Sequence, residues 1–251
     1  MKNTLIPVIR AELTKTLTLR SIQATLLAAI VVPPALALAS GLAFTPSSPA
    51  AAGFPIESHG FETAGFGQPL IILLAALITG TEYLDGQLRS TLVATPQRGR
   101  VLAAKLVIIA GIAALIGIIS TAAAVLLKHA ALGEHGLGPT QFTAAMAWNL
   151  IGVAINYTLI ALIAAAITLL ARTFIVTLIV LVPLVLGLTI SLLGALPPLK
   201  YLPDLAGIQL LTRYPNVGLL EPITGGLVMA GWALAITLAS AVFFLRRDTG
   251  S

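Results

Sequence analysis

Long apolar runs separated by short clusters of charged residues dominate this chain. An α-helix needs about 20 mostly apolar residues to cross the hydrocarbon core of a bilayer. The runs predict six membrane-spanning helices, at about residues 21–43, 66–82, 104–127, 147–171, 174–194 and 222–245. The second run is the shortest. The pattern therefore predicts an all-α membrane protein with about six transmembrane helices, organised as a single transmembrane domain over residues 1–251.

The first 20 residues carry a different pattern. Four apolar residues recur at every fourth position: Leu5, Ile9, Leu13 and Leu17. This spacing places them on one helix face, with Arg10 and Lys15 on the opposite side. Such a segment is typical of an interfacial helix that lies on the membrane surface. It is equally typical of a charged flank that only sets orientation, and the pattern leaves both interpretations open.

Composition supports lipid as the surrounding solvent. Of the 251 residues, 58% are hydrophobic and only 9% are charged, whereas soluble domains carry about 25% charged residues. The mean hydropathy is +1.02. The net charge of +5 comes from short clusters between apolar runs rather than from one patch. This distribution argues against nucleic acid as a partner.

The basic residues also predict the orientation. If the N-terminus is cytoplasmic, 11 of the 14 Lys and Arg residues fall inside. The three outside are Lys128, Lys200 and Arg213. Because Lys and Arg concentrate in cytoplasmic loops, both termini are expected on the cytoplasmic side of the cell membrane.

Several kinds of chemistry find no support in the sequence. The chain has no cysteine, which excludes disulfides and thiolate chemistry. It has no phosphate-binding loop, so ATP hydrolysis would require another polypeptide. His59, His129 and His135 fall in predicted outer loops, where solvated side chains are more common than metal ligands. We expect no catalytic residue, no cofactor and no metal.

The predicted spans contain no ionisable residue near their centres, which argues against a proton-coupled carrier. Asn156 and Tyr157 are the most polar pair within a span, and we expect them to hydrogen-bond a neighbouring helix rather than line a path. An ion-coupled carrier, a channel subunit and a membrane scaffold that transports nothing remain alternatives.

The segment between the second and third spans is the most informative. Leu84, Leu88 and Leu92 lie four residues apart on one helix face, and Pro96 should end that helix. The result is a short amphipathic helix followed by a basic turn. Its leucines could contact the bilayer surface or a cytosolic partner.

This segment resembles the permeases of type-2 ATP-binding cassette (ABC) exporters. The residues that carry the resemblance are Glu82, Tyr83, Gly86, Arg89, Leu92, Pro96, Arg98 and Lys105. In that family a Glu-Tyr pair ends the second span, and a Gly-x-x-Arg-x-x-Leu helix and a Pro-x-Arg turn follow. The six spans and the Pro-rich stretch at residues 196–203 are similar as well.

The resemblance implies a permease subunit without enzymatic activity of its own. It implies a helix that couples the permease to a separate cytosolic ABC ATPase, with Glu82, Tyr83, Gly86, Arg89, Leu92, Pro96 and Arg98 as coupling residues. A second permease subunit, identical or homologous, would complete the translocation path. Residues 195–221 would re-enter the outer leaflet as a helical hairpin. The transported substrate is left open.

Overall fold

The computed structural model describes residues 6–45, 55–83, 97–212 and 218–246. These residues form helices, turns and short connections, with no strand in the described part of the chain. The α-helices are α1 (Ile6–Thr18), α2 (Arg20–Leu42), α3 (Ala64–Gly80), α4 (Arg98–Leu132), α5 (Ala144–Ala171), α6 (Phe174–Pro183), α7 (Thr189–Leu192), α8 (Pro203–Gly207) and α9 (Pro222–Arg246).

Six helical stretches in the described residues are long and apolar enough to cross a membrane. Three of them are the helices α2, α5 and α9. The other three are longer stretches: Ile56–Tyr83, which contains α3; Arg98–His135, which contains α4; and Phe174–Leu192, which contains α6 and α7. The predicted number of transmembrane helices and the all-α class are confirmed.

The first two helices meet at a sharp break. Leu19 has extended backbone angles, and the side chain of Gln23 donates a hydrogen bond of 2.7 Å to the carbonyl oxygen of Leu17 at the end of α1. This bond gives one of the orphaned C-terminal carbonyls of α1 a partner. As a result, α1 is a separate short helix rather than an extension of the first span.

One loop assignment from the sequence was wrong. His129 lies inside α4, which continues to Leu132, whereas the sequence placed it in an outer loop. The residues after Lys128 include two alanines and a leucine, which are strong helix formers. The helix ends at Gly133, whose φ of 57° few other residues adopt readily.

Helix α5 is the centre of the bundle. It packs against α3, α4 and α9, and Tyr157, Ile160 and Ile163 on it are completely buried. A Cβ atom on Gly117 of α4 would lie 3.0 Å from the Cα of Ala154, so the absence of a side chain there lets α4 approach α5 closely. Close approach through small residues is common between helices in membranes.

The chain between the fifth and sixth spans folds back into the bundle. Residues 184–188 form a π-helical turn in which Gly187 has a φ of 115°. The chain then continues through a 3₁₀ turn at Pro197–Tyr201 into α8 and a second 3₁₀ turn at Ile208–Leu210. Every residue of α8 is buried, because this segment packs between α5 and α9.

Candidate functional site

A buried ion cluster lies where α1, the end of α3 and the start of α4 meet. The ammonium of Lys105 is 2.9 Å from Oε2 of Glu12 and 3.1 Å from Oε1 of Glu82. It also donates a hydrogen bond of 3.3 Å to the carbonyl oxygen of Ile78. Lys15 forms an ion pair with the same oxygen of Glu82. Two carboxylates and two ammonium groups therefore form one continuous cluster.

The cluster is nearly closed to solvent. The side chains of Lys105, Glu12 and Glu82 are 5%, 6% and 4% exposed, and only Lys15 is partly open, at 30%. Removing charges from water costs several kcal/mol per ion, and this cost is offset only when each charge is paired and hydrogen-bonded. The matched charges and the Ile78 carbonyl supply that pairing.

Helix α1 contributes its polar face to the cluster. Glu12 and Thr16, one turn apart, are its buried residues, while Leu13 and Leu17 are 37% and 44% exposed. Of the charged residues of the helix, Glu12 packs on the protein, whereas Arg10 is exposed. Leu13 and Leu17 face outward. A helix arranged in this way can place its leucines in lipid while its carboxylate reaches Lys105.

The residues of the predicted coupling site are only partly within the described chain. Glu82 and Tyr83 lie in the 3₁₀ turn Thr81–Tyr83 that follows α3, and Arg98 is the first residue of α4. Glu82 belongs to the ion cluster, whereas Tyr83 and Arg98 are half-buried. The remaining predicted residues are Gly86, Arg89, Leu92 and Pro96, which lie outside the described residues.

Glu12 and Lys15 join this site without having been predicted as site residues. Both belong to the amphipathic segment, in which charged residues are ordinarily solvated. The one usable signal was Glu12 itself, because it is the only acid among the first 20 residues and lies beside an apolar stripe. The pairing joins residues 93 positions apart, and no local pattern specifies such a contact.

A second ion pair lies at the opposite end of α4. Lys128 is 3.3 Å from Oε1 of Glu62 and donates a 2.7 Å hydrogen bond to the hydroxyl of Ser40. The rings of His59 and His129 lie 6.4 Å apart nearby. Within the part of the chain that the structure describes, no three His, Cys, Asp or Glu side chains are arranged to hold a metal ion.

Buried polar side chains hold the bundle together, and one of them binds the fold-back segment, residues 197–210 between the fifth and sixth spans. Asn156 is completely buried; it accepts a 2.9 Å hydrogen bond from Gln68 of α3 and donates one of 2.8 Å to the carbonyl of Gly207. The hydroxyl of Tyr157 donates to the carbonyl of Ala64 at 2.7 Å. Both side chains hydrogen-bond neighbouring segments, as the sequence led us to expect.

The six apolar helices define a multi-pass membrane protein. A family model described as ABC-2 family transporter protein matches residues 8–190. The chain therefore belongs to the ABC-2 transporter family, which confirms the resemblance seen in residues 80–105. It is a permease subunit of an ABC transporter, a membrane transport component that associates with ABC ATPase subunits. The chain has no significant match among curated proteins.

Proposed function

We propose that this permease works as an exporter driven by a separate cytosolic ATPase, and that the ion cluster carries the motion of the ATPase into the spans. The observation that carries this proposal is the ion pair between Glu82 and Lys105. These two residues flank segment 84–96 on either side. Their contact joins the turn that follows α3 to the N-terminal part of α4.

The cluster links the segment to three helices. Glu82 lies in the 3₁₀ turn that follows α3, Lys105 is the eighth residue of α4, and Glu12 and Lys15 belong to α1. A rigid, fully paired cluster transmits displacement better than separate flexible side chains. If the ATPase moves segment 84–96, then α1, α3 and α4 move with it.

The proposed orientation places this cluster at the cytoplasmic face. Arg98, Arg172 and Arg246 all lie at helix ends that share this face in the proposed topology, in which both termini are cytoplasmic. Arg172, with a φ of 56°, forms the tight turn between α5 and α6. Export rather than import rests on the resemblance of residues 80–105 to the exporter permeases.

A second permease subunit, identical or homologous, completes the proposed transporter. Helices α6 and α9 are mostly unburied, with Ile179 68% and Leu227 69% exposed. These apolar faces suit either lipid or a second subunit. Native mass spectrometry from lipid nanodiscs would give the number of permease copies for each pair of ATPase subunits, and a lone permease copy would contradict this part of the proposal.

The first experiment is isolation of the native complex. The protein is tagged at its C-terminus, extracted in mild detergent and purified, and its partners are identified by mass spectrometry. We expect a stoichiometric partner with a phosphate-binding loop and ATPase activity in the eluate. If the permease purifies alone, under conditions that keep other transporter complexes intact, the coupling proposal fails.

The second experiment tests the segment itself. Arg89→Glu is expected to leave insertion and ATPase binding intact while separating ATP hydrolysis from transport. Arg246→Glu makes the same charge change at the exposed end of α9 and serves as the matched control. Unchanged coupling in Arg89→Glu would contradict a coupling role for this segment.

The third experiment tests direction. The purified complex is reconstituted into liposomes with ATPase subunits outside, and a cell extract and ATP are added externally. For an exporter, ATP should enrich at least one extract compound in the lumen, as measured by mass spectrometry. ATP-driven depletion of compounds preloaded in the lumen would instead indicate import.

A further inference from the structure

A cavity of about 220 Å³ lies beside the fold-back segment, between the start of α3 and the broken helix at residues 184–190. Most of its wall is apolar, with Phe66, Leu205 and Ile208 among the lining residues. Three polar side chains also line it: Glu62, Gln68 and Asp204. The cavity is therefore mainly apolar, with a small acidic region.

The two carboxylates of the cavity differ in their partners. Glu62 is paired with Lys128 at 3.3 Å, which balances its charge. Asp204 is 4% exposed, and its Oδ2 accepts a hydrogen bond from the hydroxyl of Thr189. Its Oδ1 is buried and has no hydrogen-bond partner within the described residues, and no described cation pairs with this carboxylate. A buried carboxylate with a free oxygen is costly.

The pKa of the Asp204 carboxyl is consistent with this environment. Burial raises that pKa, and the hydrogen bond from the Thr189 hydroxyl offsets only part of the increase. The described residues place no cation beside this carboxyl group. A cation entering the cavity would supply the missing charge.

An interrupted helix forms another part of the cavity wall, beside Asp204. Gly187, with its φ of 115°, and the π-helical turn around it line the same cavity. Irregular backbone at membrane depth is tolerated where it is buried in protein or lines a cavity. The break and the carboxylate lie together, because the hydroxyl of Thr189, just after the break, donates a hydrogen bond to Asp204.

We propose that this cavity binds an organic ammonium ion with an apolar body, whose charge is balanced by the Asp204 carboxylate in the cavity wall. The apolar wall of Phe66, Leu205 and Ile208 would cover the body, and the carboxylate would take the charge. A small inorganic cation fits less well, because hard cations require several oxygen ligands and much of this wall is carbon. The site concerns binding alone, so it does not depend on the direction of transport or on the ATPase.

Binding can be measured on the purified permease in nanodiscs without any ATPase. The probe is benzylammonium, and benzyl alcohol is its neutral counterpart of similar shape; both are titrated calorimetrically. We expect benzylammonium to bind the wild-type protein at least tenfold more tightly than Asp204→Asn, and benzyl alcohol to show no such difference. Glu134→Gln makes the same change at an exposed outer turn and should bind as the wild type does.

A second measurement avoids any change at Asp204. Since the chain has no cysteine, Ile208→Cys introduces a single thiol in the cavity wall. Benzylammonium should slow its reaction with a small maleimide several-fold, whereas benzyl alcohol should not. This experiment remains decisive if Asp204→Asn fails to fold.

Three results would overturn the proposal. Equal affinity of benzylammonium for the wild type and Asp204→Asn would remove the carboxylate from the site. Equal protection of the Ile208→Cys thiol by benzyl alcohol, or none by either probe, would leave no ammonium site. Full competition by millimolar Na⁺ or K⁺ would identify an inorganic cation site instead. Loss of ATPase coupling alone would leave the binding result unchanged, so this proposal and the proposed transport function fail separately.

Discussion

The ammonium of Lys105 lies 3.1 Å from the carboxylate of Glu82, and the two side chains are only 5% and 4% exposed to solvent. The two residues belong to consecutive spans, and segment 84–96 lies between them in the chain. Their pairing joins the turn that follows α3 to the N-terminal part of α4. Two residues of α1 join this pair: Glu12 contacts Lys105, and Lys15 contacts Glu82.

Removing the central cation should destabilise the protein. In Lys105→Met, Glu12 and Glu82 lose a buried partner, and breaking a buried ion pair on one side costs about 3–5 kcal/mol. We expect a loss of this size in the free energy of unfolding, measured by denaturant titration in one detergent. Arg246→Met, at an exposed position, should change it by less than about 0.5 kcal/mol. Equal effects of both substitutions would show that the cluster contributes nothing specific.

The cluster should affect coupling as well as stability. In Glu82→Gln/Lys105→Gln both members of the pair lose their charge, but Glu12 also loses its Lys105 partner, so this variant should be destabilised as well. We expect this variant to hydrolyse ATP with its partner but to transport less per ATP hydrolysed. The matched control is Glu62→Gln/Lys128→Gln, which neutralises the 3.3 Å pair at the opposite end of α4. If both double variants transport equally well per ATP, the ion cluster of Glu82 and Lys105 is a structural support only.

The position of the fold-back segment depends on glycines in the helices that flank it. A Cβ on Gly225 of α9 would lie 2.0 Å from the carbonyl oxygen of Ala206, where only backbone could yield. Gly225→Ala should therefore lower the free energy of unfolding by about 1–3 kcal/mol, the typical cost of overpacking. Gly231→Ala, in the same helix, meets nothing within 4 Å and should be neutral or slightly stabilising, since Ala favours helix. Similar thermal shifts for both variants would contradict the packing described here.

Asp204 should make stability depend on pH. Its pKa is raised by burial, so the native state binds the proton more tightly than the unfolded chain does. The resulting stabilisation is complete below the pKa of an unfolded Asp and is lost as the pH rises through the raised pKa of the native state. Relative to Asp204→Asn, the wild type should therefore lose free energy of unfolding as the pH rises across that interval. Glu134→Gln, with its exposed side chain, should follow the wild-type curve, and parallel curves for all three proteins would contradict the prediction.

The orientation can be tested with single cysteines, because the natural chain contains none and gives no background. Thr140→Cys lies in an exposed outer turn of the proposed topology, and Ser251→Cys is at the C-terminus. A membrane-impermeant maleimide should label Thr140→Cys in intact cells and Ser251→Cys only after the membrane is opened. The reverse pattern would invert the topology.

The number of spans was readable from the sequence because each spanning helix must satisfy its own backbone in lipid. A run of apolar residues and its flanking charges therefore carry the needed information locally. The same holds for the amphipathic character of α1 and for the family resemblance in residues 80–105. The end of α4 was misjudged, because Lys128 was taken as a sign that the helix had ended. Its side chain instead turns toward Glu62 and Ser40.

Contacts between distant residues were decided only by the tertiary structure. The sequence marked Glu82 through a motif, but nothing local indicated Glu12 as its neighbour across Lys105, since that pairing depends on how α1 docks. The sequence did not single out Asp204, which lies in the segment predicted as a re-entrant hairpin, residues 195–221. Its burial depends on α8 packing between α5 and α9, and on the hydrogen bond from Asn156 to Gly207. Local patterns determined which segments enter the membrane, and packing determined which charges meet there, because a charge changes its role only when another segment removes it from solvent.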